Sequence, residues 1–297
     1  IRDHCVTGVQ TCALPISGLN TTIVAPSSAL GDAERLQQGI ELLRSWGHTI
    51  RSAPDPTRHW GYYAGRDAER LADFAGEAEL WACARGGWGA ARLLEQGWQP
   101  PQGWLLGFSD VTSLLWAQQA AGLSGAIHGP LVTTLAAEPQ WSQNRLRDLL
   151  AGEALAPLQG QGWQGGIAEG PLLVGNLTVA THLLGTKHCP DLAGRVLLLE
   201  DIGEAPYRID RLLTHWRLSG ALQQLAGLGF GRFEGCEAPE DDARPGFCLE
   251  QVLRERSLDL GIPVVGELPF GHGQPNAALP LGRTVRLDGS SGTLSVL

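Results

Sequence analysis

The chain has 297 residues, of which 43% are hydrophobic and 18% charged, and its formal net charge is -9 at pH 7. This length accommodates two domains with cores of their own, and the composition is that of a soluble globular protein rather than a disordered one. The acidic balance argues against a nucleic-acid-binding surface, and no apolar run reaches the roughly 20 residues that a transmembrane helix needs.

The six cysteines follow no regular framework, which favours reduced thiols and a cytoplasmic protein. Residues 1–17 show neither helical nor strand periodicity and lack the basic and apolar regions of a secretory signal. The whole sequence contains no Met. We therefore expect residues 1–17 to be a non-native segment, similar to translated adapter sequence, that packs poorly against the rest. The alternative is a genuine amino-terminal arm.

The first half of the sequence alternates apolar strands with helical segments. Apolar residues recur at helical spacing from Leu36 to Trp46, and Gly47 ends this first helix. Strands separated by helices of this length imply an α/β fold, a parallel sheet with helices on both faces. The predicted strands are 21–25, 48–53, 79–84 and 104–108. In a parallel sheet of this kind, ligands bind at the carboxyl ends of the strands.

Ser109 lies at a predicted sharp turn between the strand 104–108 and a helix that begins at Asp110 and ends at Gly122. Such a turn places a hydroxyl beside the free N–H groups of a helix N-terminus, so it can supply a nucleophile and part of an oxyanion hole. Val111 stands where the G-x-S-x-G motif has glycine, so this turn is not an α/β-hydrolase elbow. The alternative is that Ser109 only caps the helix, as Ser often does.

A glycine-rich loop, Arg85–Gly89, follows the strand 79–84 and is expected at the same edge of the sheet as Ser109. Glycines after a strand can cradle phosphate, but this loop lacks the Lys and Ser/Thr of a Walker loop and the spacing of a dinucleotide fingerprint. It is either a tight turn, the common role of paired glycines, or a donor of a Gly N–H to an oxyanion at Ser109.

The alternation breaks between 136 and 170 into a stretch rich in Gly, Gln, Trp and Pro, which predicts a linker. It would connect an amino-terminal domain at 18–135 to a carboxyl-terminal domain at 171–297. In the second domain the pattern predicts helices at 177–184 and 249–260, an amphipathic helix around 207–216, strands at 195–199, 225–233 and 263–267, and a hairpin in the tail 279–297.

A serine nucleophile needs a base, and the base needs an orienting group. Among the eight histidines, His128 and His272 lie among glycines at predicted strand ends. Glu200 follows the strand 195–199, where a carboxylate is costly unless it has a partner, so it is a candidate for the orienting group. The alternative for Glu200 is a charge that complements the dipole of the following helix. No CxxC or HExxH pattern marks a metal site.

Six motifs in one order carry a resemblance that covers the chain from Asn20 to its end. They are ARGGWGAARLL at 84–94, GFSD at 107–110, HGP at 128–130, GNLTVATHLLGT at 175–186, LLLEDIGEAPYRIDRLL at 197–213 and PFGHGQPNAALPLG at 269–282. Together they resemble the LD-carboxypeptidases, the murein tetrapeptide carboxypeptidases of the serine peptidase S66 group.

This resemblance implies an amino-terminal parallel-sheet domain similar to class I glutamine amidotransferases, followed by a smaller α/β domain of the swivelling type. Carried over by position, it implies a catalytic triad of Ser109, Glu200 and His272, with the triad split between the two domains. The oxyanion would be bound by the backbone N–H groups of Gly87 and Asp110.

The resemblance also implies a substrate and a cellular setting. The substrate would be a murein tetrapeptide or UDP-MurNAc-tetrapeptide, which loses its terminal D-Ala in the cytoplasm during peptidoglycan recycling, and the enzyme would be a homodimer without metal or cofactor. Arg85 and Arg232 are candidates for binding the terminal carboxylate. Two alternatives remain: a peptidase of the microcin C immunity type that cleaves an aminoacyl-nucleotide, and a catalytically silent peptide-binding module, which an intact triad disfavours.

Overall fold

The protein is described here from a computed structural model, which covers residues 18–237 and 246–297. The adapter-like segment expected at residues 1–17 lies outside these ranges. Within them, no helix is long and apolar enough to cross a membrane.

Strands and helices alternate in the described chain as far as Leu135 and less regularly after it. The strands are β1 (Asn20–Val24), β2 (Thr49–Ser52), β3 (Leu80–Cys83), β4 (Trp104–Gly107), β5 (Ala126–His128), β6 (Leu158–Gln159), β7 (Gln161–Gln164), β8 (Ile167–Asn176), β9 (Val196–Ile202), β10 (Gly227–Glu234), β11 (Val264–Gly266), β12 (Leu279–Pro280), β13 (Thr284–Asp288) and β14 (Thr293–Val296). The helices are α1 (Ala33–Ser45), α2 (Asp67–Ala72), α3 (Ala90–Glu95), α4 (Thr112–Ala120), α5 (Val132–Leu135), α6 (Gln140–Leu150), α7 (Leu177–Leu183), α8 (Pro206–Leu218) and α9 (Leu249–Ser257). Short 3-10 turns cover Ser109–Val111, Leu222–Gln224 and Leu258–Leu260.

Six strands form the amino-terminal sheet, in the order β12-β5-β4-β3-β1-β2. All neighbours pair in parallel except β12 and β5. Alternate residues of β3 belong to two different apolar clusters, Leu80 to one and Trp81 to the other, so both faces of the sheet are covered. Strands buried on both faces are apolar throughout, which is why β3 and β4 were recognisable in the sequence. The prediction of a parallel α/β sheet is confirmed.

Eight strands form the second sheet, in the order β6-β14-β13-β8-β9-β10-β11-β7. The four central strands, β8 to β11, are parallel, and the strands outside them are antiparallel. Strand β9 is buried from Val196 to Asp201. Glu200 therefore lies within this strand, two residues before its end, whereas the sequence pattern placed it directly after the strand.

Residues 136–170, predicted as the linker between the domains, carry helix α6, strands β6 and β7, and the start of β8. Glycines in and beside β7 allow backbones to approach closely. A Cβ at Gly160 would lie 2.4 Å from the carbonyl oxygen of Gly266, and one at Gly162 would lie 2.3 Å from that of Gly289. Glycine in a strand often marks such an approach.

The chain returns to the first sheet near its carboxyl end. Strand β12 pairs antiparallel with β5, so that Leu279 lies opposite His128. The predicted hairpin of the tail is formed by β13 and β14 alone. The segment that follows His272 is therefore attached to the sheet that carries Ser109.

Candidate active site

Ser109 occupies the turn between β4 and α4 in a conformation that is rare for residues with a side chain. Its φ is 63°, and within the described residues only Glu267 is another non-glycine residue with positive φ. A positive φ strains the backbone of a residue that has a side chain. Such backbone strain persists only where the surrounding structure holds the residue in place, and it is common at functional sites. The preceding Gly107 is needed here, because a Cβ on it would lie 2.7 Å from the Val111 side chain. The turn thus carries the Ser109 hydroxyl out of the sheet.

Three side chains meet in a single hydrogen-bonded series. Ser109 Oγ lies 3.1 Å from His272 Nε2, and His272 Nδ1 lies 2.6 Å from Glu200 Oε2. The same Glu200 oxygen also accepts the backbone N–H of His272 at 3.0 Å. Glu200 is fully buried, and the His272 side chain is 15% exposed. With Nδ1 protonated, His272 can accept the Ser109 proton at Nε2.

The His272 and Glu200 side chains shift each other's pKa toward the charged forms. Burial by itself would lower the pKa of His272, but the hydrogen bond and charge of Glu200 outweigh burial and raise it. For Glu200, burial favours the neutral acid, yet the hydrogen bonds and charge of His272 outweigh it, and the pKa is lowered. The pair is therefore suited to receive a proton on the imidazole.

Glu204, four residues after Glu200, points to a different partner. It lies between β9 and α8, and its Oε2 is 3.4 Å from Arg208 Nη1, at the surface. An exposed pair of this kind contributes little to stability. Of the two glutamates in the EDIGE motif, only Glu200 contacts His272.

The loop that carries His272 is held from several sides. Asn276 Oδ1 accepts the N–H of Gly271 at 2.9 Å, and the N–H of Asn276 donates to Glu138 Oε2 at 2.9 Å. Arg232 Nη1 donates to the carbonyl oxygen of Pro275 at 2.9 Å. Because these bonds fix the backbone on both sides of His272, the imidazole is positioned before any ligand binds.

The glycine-rich loop passes directly over Ser109. A Cβ on Gly86 would lie 3.0 Å from Ser109 Cβ, and one on Gly87 would lie 2.2 Å from Ser28 Oγ. Gly87 has a φ of 112°, which side chains rarely allow. Ser28 also anchors the loop, since its Oγ accepts the N–H of Trp88 at 3.0 Å. The sequence allowed two roles for this loop, a tight turn or a donor of a Gly N–H to an oxyanion at Ser109. Both roles require these glycines.

Asp110 connects the Ser109 turn to the glycine-rich loop. Its buried carboxylate accepts the N–H of Ala90 at 2.8 Å, at the start of α3. Burial raises the pKa of this carboxyl group. Within residues 18–237 and 246–297, no acceptor takes the backbone N–H of Gly87 or of Asp110. Both N–H groups are thus unused within these ranges.

These residues open into a cleft of about 860 Å³ between the two sheets. Its lining includes Gly87, Ser109 and His272 from the candidate site, and Arg85 beside them. Arg85 Nη1 donates to the carbonyl oxygen of Ala29 at 2.8 Å, and its side chain is exposed. The cleft has room for a short peptide.

The far wall of the cleft is built from α7 and the end of β9. Asp201, buried next to Glu200 in β9, accepts hydrogen bonds from Asn176 Nδ2 at 2.9 Å and from Thr178 Oγ1 at 2.7 Å. The N–H of Asn176 donates to Thr112 Oγ1 on α4 at 3.0 Å. These bonds tie the carboxyl-terminal sheet to the helix that follows Ser109.

The structure brings together Ser109, Glu200 and His272, with Gly87 and Asp110 beside them. It separates the two arginines proposed for a carboxylate, because Arg232 lines a different cavity and supports the His272 loop instead. Sequence reasoning missed the supporting residues, which are Ser28, Glu138 and Asn276. Asn276 lies within a recognised motif, but no pattern links Ser28 or Glu138 to the site.

Among the described residues, no group of three or more His, Cys, Asp and Glu side chains is arranged to hold a metal ion. The chemistry available in the cleft is that of a serine hydroxyl, an imidazole base and backbone donors. This set is typical of acyl transfer.

Comparisons with known proteins agree over most of the chain. The LD-carboxypeptidase N-terminal domain matches residues 21–129, and the LD-carboxypeptidase C-terminal domain matches residues 169–287. A protein of Synechocystis sp. named "putative carboxypeptidase" is 48% identical, covering 96% of this chain and 96% of its own length. The murein tetrapeptide carboxypeptidase of Pseudomonas aeruginosa is 32% identical, covering 93% of this chain and 95% of its own.

A solved structure extends the similarity to the fold. The muramoyltetrapeptide carboxypeptidase from Oxalobacter formigenes matches with a TM-score of 0.82 at 27% identity, covering 93% of this chain and 97% of the other. The expected two-domain α/β fold is confirmed by this likeness.

Proposed function

The chain belongs to the LD-carboxypeptidase family, and we propose that it is a serine carboxypeptidase that removes the terminal D-Ala from murein tetrapeptides. The family and its curated relatives make it a peptidase. The serine mechanism, the bond cleaved and the cellular role are the parts that we propose.

One observation carries the proposal: the continuous hydrogen-bonded series from Ser109 Oγ through His272 to the buried Glu200 carboxylate. In the proposed mechanism, His272 Nε2 takes the Ser109 proton while Oγ attacks the carbonyl carbon of the penultimate residue. The resulting tetrahedral intermediate collapses when His272 returns the proton to the amine of D-Ala, which leaves. Water, activated by the same imidazole, then hydrolyses the acyl-enzyme.

Two features of the site support the charge changes that this mechanism needs. The raised pKa of His272 favours the imidazolium that forms as Ser109 attacks. The unused N–H groups of Gly87 and Asp110 would donate to the oxyanion, and removal of one such donor typically costs about 10²–10³ in kcat.

We propose that Arg85 binds the terminal carboxylate of the substrate. It lines the cleft, and a guanidinium has five N–H donors, so the bond from Nη1 to the Ala29 carbonyl leaves others for a ligand. Arg232 is not part of this proposal, because it faces another cavity.

The proposed setting is the cytoplasm, where the enzyme would act in peptidoglycan recycling as a homodimer. The described cysteines, Cys83, Cys189, Cys236 and Cys248, are all free thiols, which suits a reducing compartment. The dimer rests on the family resemblance. Cell fractionation and light scattering of the purified protein test these two statements.

The decisive experiment incubates the protein with UDP-MurNAc-tetrapeptide and measures free D-Ala. We expect release by the wild type and none by Ser109→Ala, whereas Ser45→Ala, a hydroxyl on α1 bonded to its own helix, serves as the matched control with wild-type activity. An aminoacyl-nucleotide is assayed in parallel. Cleavage of that compound alone favours the microcin C immunity type, and tight binding of the tetrapeptide without release favours a silent binding module.

A further inference from the structure

The Glu200 carboxylate has two oxygens, and only one of them serves His272. Oε2 accepts both hydrogen bonds from His272, whereas Oε1 is buried and receives none from any described residue. A buried carboxylate oxygen without a donor is costly. The mechanism above gives Oε1 no role.

His128 lies behind the triad and is equally unused. Its ring is fully buried, with its centroid 5.6 Å from that of Phe108 and 5.5 Å from that of Phe270. Neither ring nitrogen has a hydrogen-bond partner in the described chain. Burial lowers the pKa of His128 to about 4, despite the opposing attraction of Glu200. The ring is therefore neutral near pH 7, with one nitrogen as donor and the other as acceptor.

Asn276 brings a third buried group to the same place. Its Oδ1 accepts the N–H of Gly271, which is next in the chain to the His272 N–H that Glu200 accepts. Its Nδ2 is buried and donates to no residue that the structure describes. Its side chain is also close enough to His128 to affect the pKa of that ring. Glu200, Asn276 and His128 are thus neighbouring buried groups, since Glu200 and Asn276 both act on the pKa of the His128 ring.

We propose that His128 is a positioning residue of the triad, whose ring N–H donates to Glu200 Oε1 while its other nitrogen accepts from Asn276 Nδ2, directly or through one enclosed water. This single series gives partners to all four buried atoms: Oε1, both ring nitrogens and Nδ2. It rests on the proposed function, because it acts only by orienting Glu200 toward His272.

A hydrogen bond from His128 to Glu200 Oε1 would affect the pH dependence of catalysis, which a purely packing role of His128 would not. A carboxylate held at both oxygens keeps one orientation, and a donor at Oε1 withdraws charge from Oε2. Without that donor, Glu200 attracts the imidazolium proton of His272 more strongly. The charged groups that act on His272 are Glu200, Asp201 and Glu234, and none of them changes when His128 is replaced. When His128 is replaced, the fall of kcat/KM at low pH should therefore begin at a higher pH than in the wild type.

The test compares two replacements of different chemistry. His128→Phe keeps an aromatic ring between Phe108 and Phe270 but removes both nitrogens, and His128→Gln restores a donor and an acceptor. We expect His128→Phe to lower kcat roughly tenfold or more, with KM within about twofold and the acid limb moved upward, in line with losses of outer partners elsewhere. His128→Gln should recover a large part of the loss.

The matched control is His48→Phe, which replaces another buried histidine, bonded to the N–H of Leu19 at the far edge of the first sheet, and should leave kcat unchanged. Wild-type kcat and an unshifted pH profile in His128→Phe would overturn the proposal. So would equal losses in His128→Phe and His128→Gln, since only shape would then matter.

A measurement on the wild-type protein keeps the proposal open to refutation if His128→Phe fails to fold. Nitrogen NMR of the labelled histidines should find His128 neutral from about pH 5 to 9, with a hydrogen-bonded N–H protected from exchange. A ring that titrates near the ordinary value of about 6.5 contradicts the proposal. Wild-type protein that releases no D-Ala contradicts the proposed function instead, and the NMR result still decides on His128.

Discussion

Glu200→Gln should separate the orienting role of this residue from its role in the fold. Gln has the same shape, and its side-chain oxygen can still accept one hydrogen bond from His272. What disappears is the negative charge 2.6 Å from Nδ1, in a side chain with no exposure to solvent. That charge stabilises the imidazolium, which forms in the transition state from the neutral ring of the active resting enzyme. The substitution should therefore act on turnover more than on folding.

The size of the effect follows from what such a carboxylate does in other serine triads. Its loss there costs up to about 10⁴ in kcat, and roughly 10²–10⁴ is the range expected for Glu200. We expect Glu200→Gln to lower kcat/KM for D-Ala release by that factor and to remain folded by circular dichroism. Its acid limb should move to lower pH, because the charge that raises the pKa of His272 is gone.

The assay couples released D-Ala to a D-amino acid oxidase at saturating and subsaturating tetrapeptide. The control is Glu169→Gln, which removes a half-exposed carboxylate paired with Arg286 on the second sheet. It should keep wild-type kcat, since surface pairs contribute at most about 1 kcal/mol to stability. If Glu200→Gln stays within tenfold of the wild type, the charge of Glu200 is not what His272 depends on, and the proposed triad is wrong.

Further predictions concern the pH profile, the loop, the cleft and metals. Because the pKa of His272 is raised and its ring must be neutral to accept a proton, wild-type kcat/KM should fall as the pH drops through a value above about 6.5; a limb well below that value contradicts this. Gly87→Ala should lower kcat at least about 100-fold, because its Cβ would clash with Ser28, whereas Gly61→Ala, also at positive φ but in open space, should not. Arg85→Gln should raise KM about tenfold for the free acid and leave KM unchanged for a substrate with an amidated terminus; equal changes for both count against Arg85. EDTA should leave activity intact, and a loss that zinc restores would contradict the serine mechanism.

The parts of the fold predicted from the sequence are those with strong local patterns. Strands β3 and β4 are buried on both faces, so their apolar runs were unambiguous, and the helix after Ser109 has regular spacing. Because both segments directly follow strands of a parallel sheet, the sequence predicted that Ser109 and the loop Arg85–Gly89 lie at the same edge of that sheet. The pairing of Ser109 with His272 came from the family resemblance, because contacts between residues 163 apart leave no periodic signal.

The sequence is ambiguous where one residue type serves two purposes. Gly160 and Gly162 gave the composition of a linker, but close backbone approach requires glycine as strictly as flexibility favours it. Arg232 was as good a candidate for a carboxylate as Arg85, since the sequence does not tell which cavity an arginine faces. Only the assembled chain shows which cavity a side chain lines.

The assembled chain also explains how a triad divided between two sheets keeps its geometry. His272 belongs to a loop of the second sheet, yet seven residues later Leu279 is paired with His128 in the first sheet, beside the strand that ends before Ser109. The backbone of Asn276, between these two points, is bonded to Glu138 and to Ser142 of α6, which belongs to the amino-terminal half. A motion that separated the two sheets would have to break these bonds before it could lengthen the distance from His272 Nε2 to Ser109 Oγ. The base is therefore anchored to the unit that carries its nucleophile, and the mechanism proposed here requires no domain closure to bring them together.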